Sequence, residues 1–151
     1  KSRFSHAQIL ATNEFVINLV HEDLLWATDY CGVKSGRDVD KFSACQLTAV
    51  PAAGLSTAPA VAESLLNLSC RVRQVIELGS HDCFIAEIIA VEVANTLMDK
   101  QNRLRLDKAG LVAFCHGHYY GLGSLLGFFG YSVAKPSVLK KRLGKAAKRP
   151  K

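Results

Sequence analysis

Long hydrophobic runs are missing from this chain of 151 residues: no stretch reaches the ~18 to 20 consecutive apolar residues that a membrane-crossing helix needs. There is no secretory leader pattern, and the chain opens at Lys1 without a methionine, which reads as a trimmed end. CxxC pairs are also missing. The five cysteines, Cys31, Cys45, Cys70, Cys83 and Cys115, are odd in number and mostly set among apolar residues, where a free thiol behaves as a small hydrophobe. That pattern argues against a structural zinc site and fits a reducing cytoplasm. No GxSxG, Walker loop or HExxH occurs, so any catalysis here rests on a cofactor. The one dinucleotide-like run, "GLGSLLG" from Gly121 to Gly127, is GxGxxxG rather than GxGxxG. No second strand follows it, and a lysine cluster stands where an acid belongs.

Charge is scarce over most of the chain as well. The formal net charge is +6, but residues 140–151, "KKRLGKAAKRPK", hold seven basic residues and no acidic one. The remainder carries 12 basic residues against 13 acidic. The basic character therefore belongs to residues 135–151, read as a flexible, solvated tail. Anionic partners are the alternative use of such a run, and nothing in it assigns one.

What is present is one domain's worth of chain, with 49% hydrophobic residues. Ser5 followed by Gln8 forms a capping box, placing a short helix from about His6 to Ala11. Phe15 to Val20 is a β-rich run and a buried strand. Glu22 and Asp23 open a second helix that Gly32 stops after Cys31. Residues 33–46 read as polar loop with a short helix, and 51–62 as loop. Between Leu65 and Leu78, residues Leu66, Leu68, Cys70, Val72 and Ile76 alternate with Asn67, Ser69, Arg71, Arg73 and Glu77, the mark of a half-exposed strand. Gly79-Ser80 supplies a tight turn into a return strand over Phe84–Val93. Leu111–Tyr120 reads as one further strand, and Ser124–Phe129 as a short closing segment. Strands joined by tight turns give an antiparallel sheet, here a mainly β fold with peripheral helices that suits a β-barrel.

Five segments hold residues able to do chemistry. The opening "KSRFSHAQIL" sets Ser2, Arg3 and Ser5 at a helix start, where free N–H groups and a forked guanidinium suit phosphate; the alternative is an ordinary capped helix with surface cations. Asn18, inside "FVINLV", needs partners for its amide, either backbone groups or a ligand. "CGVKSGRDVDKF" gathers Lys34, Ser35, Arg37 and Lys41 around two glycines and is an anion loop or a solvated one. His81 sits on a hairpin turn. His116 and His118 lie two apart, on one strand face, with no third ligand spaced to make a metal site.

In order and wording, four stretches resemble one family, the flavin reductase-like FMN-binding split-barrel proteins that include the flavoredoxins. They are "SRFSHAQILATNEFVINL", "CGVKSGRDVDKF", "AESLLNLSCRVRQVIELGSHDCFIAEIIAVEV" and "LVAFCHGHYYGLGSLLGFFGYS". The resemblance implies a Greek-key split barrel over residues 1–134, and a homodimer with flavin near the subunit interface. It places Ser2, Arg3 and Ser5 at the flavin phosphate, Asn18, Ser35, Lys41 and His118 around the same cofactor, and His81 beside the nicotinamide pocket. The cofactor is FMN, with FAD as the second fit, and NADH or NADPH would give hydride to flavin N5. Family members usually carry further strands before the segment that matches Lys1, and this sequence lacks them. Three activities follow as expectations: an NAD(P)H:flavin oxidoreductase, an FMN electron carrier that takes electrons from a redox partner protein, and a non-catalytic module working through its tail.

Overall fold

The computed structural model describes residues 1–144. The expected tail therefore lies in part outside the described residues, which end at Gly144. The chain divides into two compact units, Lys1–Gly121 and Leu122–Lys151.

The first unit is built on three antiparallel strands in the order β1-β4-β5, with β1 at Glu14–Asn18, β4 at Leu66–Leu78 and β5 at His81–Val93. Before β1 comes α1 (Phe4–Thr12), and after it a single 3-10 turn at Glu22–Leu24 leads into α2 (Leu25–Val33). A short α3 (Lys41–Ala44) precedes β2 (Ala49–Pro51) and β3 (Pro59–Val61), which pair only with each other. Near the unit's end, β6 (Val112–Cys115) and β7 (His118–Gly121) form a hairpin. Helices and strands share the chain, and the ladders remain separate. Among the described residues no barrel closes, because β1 and β5 each keep an edge without a strand partner.

Alternation in β4 and β5 and the Gly79 turn produce the long ribbon as the pattern predicts. Leu78 pairs with His81 across a two-residue loop, and Gly79 has φ +71°, the positive value a II′-type hairpin asks of its first central residue. The facing of β4 differs from the simple alternation. Bulges interrupt the register between Ser69 and Cys70 and between Val72 and Gln74. The second moves Val75 to the sheltered phase and leaves Ile76 exposed. At the root of the ribbon both faces are covered. Asn67 and Ser69, read as outward polar residues, are buried, and Asn67 Nδ2 donates to the Val61 carbonyl of β3 at 3.4 Å. The two-stranded β2–β3 ladder, read from sequence as loop, supplies that cover.

Glu14 fixes the segment between β2 and β3. Its carboxylate, 7% exposed, accepts from the N–H groups of Ser56 and Thr57 and from the Thr57 hydroxyl at 2.9 to 3.2 Å. The Thr57 N–H bond is the largest cause of its acidity, and the carboxyl is held at about 2 against an ordinary 4.5. The core itself is small-chained: Leu24, Ala27, Ala52, Ala60, Leu66, Cys70, Leu97 and Ala109 are buried.

Other boundaries move for identifiable reasons. Helix α1 starts two residues before the capping box allows; Arg3 is its N-cap residue, no side chain caps it, and Ser5 lies inside the first turn. Gly32 does not stop α2, which runs on to Val33. β1 is half-buried rather than buried, with Ile17 exposed. The expected strand Leu111–Tyr120 is a hairpin. His116 and Gly117 have φ +50° and +82°, both positive as a type I′ turn requires, so His116 occupies the turn and shares no strand face with His118. Of the cysteines, Cys70 is buried, but Cys83 and Cys115 are exposed.

In the second unit, Ser124–Phe129 has no helix; the helical pieces are a 3-10 turn at Tyr131–Val133 and α4 (Pro136–Leu143). Pro136 opens α4, Lys140, Lys141 and Arg142 lie in its negative last turn, and Gly144 caps it at φ +67°. Arg142 stacks over Phe128, 4.7 Å from the ring centroid.

Candidate functional site

The first turn of α1, the C-terminal end of α2 and the loop leading into α3 enclose a cleft of about 460 Å³. Arg3, Ser5, Lys34, Ser35 and Lys41 line it together with Phe4, Gln8, Cys31, Gly32 and Gly36. Four of the residues singled out in the sequence, from two separate segments, thus meet in one place. Among the described residues no carboxylate lines the cleft, whereas three cations do.

The two helix ends that meet here have opposite partial charges. The start of α1 presents unpaired N–H groups, and the end of α2 presents carbonyls. Those carbonyls would repel an anion, but cations already cover them: Lys41 Nζ donates to Cys31 O at 2.6 Å and Arg3 Nη1 to Gly32 O at 3.2 Å. A guanidinium has five N–H donors and an ammonium three, so each cation can neutralise a carbonyl and still donate elsewhere. Asp40 caps α3 by accepting from the N–H groups of Phe42 and Ser43, which sets Lys41 at the helix start. The Ser35 hydroxyl accepts from Arg37 N–H at 3.2 Å. Arg37 in turn donates to Ser2 O at 3.0 Å and lies over the Phe4 ring at 5.6 Å, tying the loop to the chain start.

Gly36 makes this closure possible. A β-carbon there would stand 2.9 Å from Phe4 Cδ1, so any side chain pushes the Phe4 ring aside. A larger cleft of about 540 Å³ on α1 shares Ser5 and Gln8, but its one ionisable lining group is Glu14, anionic and already committed. For a phosphate, charge decides in favour of the smaller cleft.

The remaining sequence candidates stand elsewhere. Ser2 contributes its backbone carbonyl to Arg37 and does not line the cleft. Asn18 lines a separate hollow of about 240 Å³, mostly apolar, that has Cys31 in common with the first. Its Oδ1 accepts from Val61 N–H at 2.9 Å, so the backbone supplies its best partner. His81 is exposed and bonded to the neighbouring Ser80 hydroxyl at 2.8 Å. His118 is exposed and bonded to the His116 carbonyl at 3.0 Å. Neither histidine lines the cation cleft. Sequence reasoning gave Gln8, Cys31 and Gly36 no part in the site, reading them as a helix cap, a small apolar thiol and a loop glycine; Lys34 was visible in the anion loop but was not among the residues assigned to the cofactor.

Comparison with known proteins shows the family. Residues 1–123 match the model of the flavin reductase like domain, and the chain belongs to that family. An uncharacterized protein of Archaeoglobus fulgidus is 32% identical over 98 residues, which are 65% of this chain and 55% of that protein. Among solved structures, the flavoredoxin of Desulfovibrio vulgaris (Miyazaki F) superposes with a TM-score of 0.80 at 26% identity, over 89% of this chain and 72% of that one. The flavoredoxin of Methanosarcina acetivorans gives 0.79 at 28% identity, over 89% and 73%. The chain spans about half the length of the curated relatives it matches. No helix among the described residues is long and apolar enough to cross a membrane.

Proposed function

We propose that this chain binds FMN with its phosphate in the cation cleft and serves as an NAD(P)H:flavin oxidoreductase. The observation that carries the reading is the convergence of Arg3, Ser5, Lys34, Ser35 and Lys41 on one cleft that no carboxylate among the described residues lines. Uncommitted donors on Arg3 and Lys41 and the N–H groups opening α1 fit a dianionic phosphate, and FAD's diphosphate fits the same charges less simply. FMN, when bound, would supply the hydride and electron chemistry itself. The protein's own residues would hold the phosphate, keep the α2 carbonyls neutralised, and orient what is attached to it. His81 and His118 are proposed at the nicotinamide and flavin edges on family resemblance alone.

A second copy of the chain is the proposed partner, since β5 keeps a free edge and leaves Ile88 and Val91 about half exposed on one of its faces. Ile88→Asp should shift the sedimentation coefficient from dimer to monomer. Five free thiols fit a cytoplasmic location.

The testing experiment is the visible spectrum of the purified protein, before and after anaerobic NADH. Bands near ~370 and ~450 nm that bleach with NADH support the reductase. Bands that persist favour the second reading, an electron carrier fed by a redox partner protein, a reading motivated by the two flavoredoxin neighbours. A sample that is colourless and ignores added FMN overturns both.

A further inference from the structure

Cys31 and Cys45 are far apart in sequence and adjacent in space. Cys31 lies in the last turn of α2 and Cys45 directly follows α3, and their Sγ atoms are 3.8 Å apart. Both are partly exposed, within reach of a small oxidant. The segment between them is the one that carries Lys34, Ser35, Arg37 and Lys41. Cys31 also lines the cation cleft, and its carbonyl holds Lys41 Nζ. We infer that Cys31 and Cys45 are a peroxide-oxidisable thiol pair whose disulfide closes the 32–44 segment into a ring and sets the geometry of the cation cleft.

The chemistry balances with a peroxide as the oxidant. One thiolate attacks a peroxide oxygen, giving a sulfenic acid and water. The second thiol then displaces the hydroxyl as a second water, and the S–S bond forms. Two sulfurs lose two electrons in all, two thiol hydrogens leave in the waters, and a dithiol reductant reverses the change. Burial and the adjoining Cys31 thiol raise the Cys45 pKa, while Lys41 pulls it down. Sγ atoms at 3.8 Å must still approach by about 1.8 Å to reach bonding distance, a movement side-chain rotation and a small shift of α3 supply. A ring across this loop removes conformations in which Lys34 and Lys41 turn away from the cleft, so ligand binding should tighten. That coupling rests on the flavin reading; the thiol chemistry does not.

The test treats the whole reduced protein with a small molar excess of hydrogen peroxide, then counts thiols in denaturant and maps tryptic peptides without reduction. The expected result is a fall from five thiols to three, restored by dithiothreitol. Peptide 4–34 should be joined to peptide 42–71. The second also contains Cys70, so Cys45→Ser must abolish the link while Cys70→Ser leaves it. Five remaining thiols, or a link that survives in Cys45→Ser, overturns the pair. FMN titration of oxidised against reduced wild type should show at least threefold tighter binding, absent in Cys45→Ser. An unchanged Kd with the link formed overturns the coupling. No FMN binding in either form, with the link formed, removes the flavin reading and leaves the redox pair standing.

Discussion

The cation cleft and the hairpin histidines make an instructive contrast, because both were legible as candidate chemistry and only one was assembled. In the cleft the contacts made by the cationic side chains span distance along the chain. Arg3 reaches Gly32, Arg37 reaches Ser2, and Lys41 reaches back to Cys31. At the turns the partners are local: His81 bonds the residue before it, and His118 a carbonyl two residues away. Long-range contacts exist only if the fold holds, so they pre-organise donors where a ligand arrives. Local contacts form on any hairpin and select nothing.

The sharpest way to break the contrast is to remove both cleft cations. Arg3→Ala should weaken FMN binding about tenfold to a hundredfold, the scale of a hydrogen bond to a charged group, and the double variant with Lys41→Ala should lose more than either change alone. A fluorescence titration of FMN reads this directly. Unchanged dissociation constants would remove the α1–α2 cleft from the site and return attention to the larger cleft beside Glu14.

Glu14 offers the next largest effect, on stability rather than binding. Its folded pKa of about 2 lies below its ordinary 4.5, so its contribution is complete above about pH 4.5 and is lost as pH falls toward 2. Glu14→Gln should lower the Tm at pH 7 by about 3 to 6 °C and flatten the fall in stability across that acid window. A variant with the same acid profile as wild type would show that the Ser56–Thr57 anchor contributes nothing.

Asp82 works in the same sense at the start of β5. Its bond from His6 at 2.7 Å, and then Lys1 Nζ at 3.0 Å, hold its carboxyl below the ordinary range and fasten α1 to the ribbon tip. Its share of stability is likewise lost as pH falls through its folded value. Asp82→Asn should therefore destabilise at neutral pH and free α1, with a smaller Tm change than Glu14→Gln because its partners are two side chains, one of them the exposed Lys1, rather than backbone N–H groups.

How much of this the sequence disclosed depends on whether the deciding force was local. The β4–β5 ribbon was legible because alternation and a glycine at φ +71° are local signals. The bulge at Arg73 was not, since an extra residue leaves no mark in composition. β6 and β7 merged into one strand because the turn falls on a His-Gly pair inside an aromatic run, and His116 accepts a positive φ that its identity does not announce. Asn67 and Ser69 read as solvent-facing because the strand that covers them looked like loop. In the cleft, the cations and hydroxyls stood out as residue types beside turn glycines. The role of Gly36 against Phe4 and the meeting of Cys31 with Cys45 needed coordinates, because neither pair has any spacing rule. The antiparallel strands expected of a split β-barrel are there, but as separate ladders among the described residues, since alternation predicts strands but not which edges find partners.

The smallest effects should come from the histidines, and they sharpen the contrast by staying small. His118→Ala removes a ring bonded to the His116 carbonyl and tilted against Tyr120 at 6.4 Å, so FMN affinity should change less than about twofold. His81→Ala should leave FMN affinity alone as well. If the proposed nicotinamide pocket is where His81 stands, the KM for NADH should rise a few-fold while kcat holds, the mark of lost uniform binding. A large loss of FMN affinity in either variant would mean that a histidine bonded only to its own neighbours nonetheless carries much of the flavin's binding energy. In a dimer the ring could then be completing the partner's cleft rather than its own, and a mixed dimer of His118→Ala and Arg3→Ala chains would decide it. Half-occupancy by FMN is expected if the ring completes the partner's cleft: both changes then fall on one cleft, and the other keeps Arg3 from one chain and His118 from its partner. Loss of all occupancy would require the two changes to cripple different clefts.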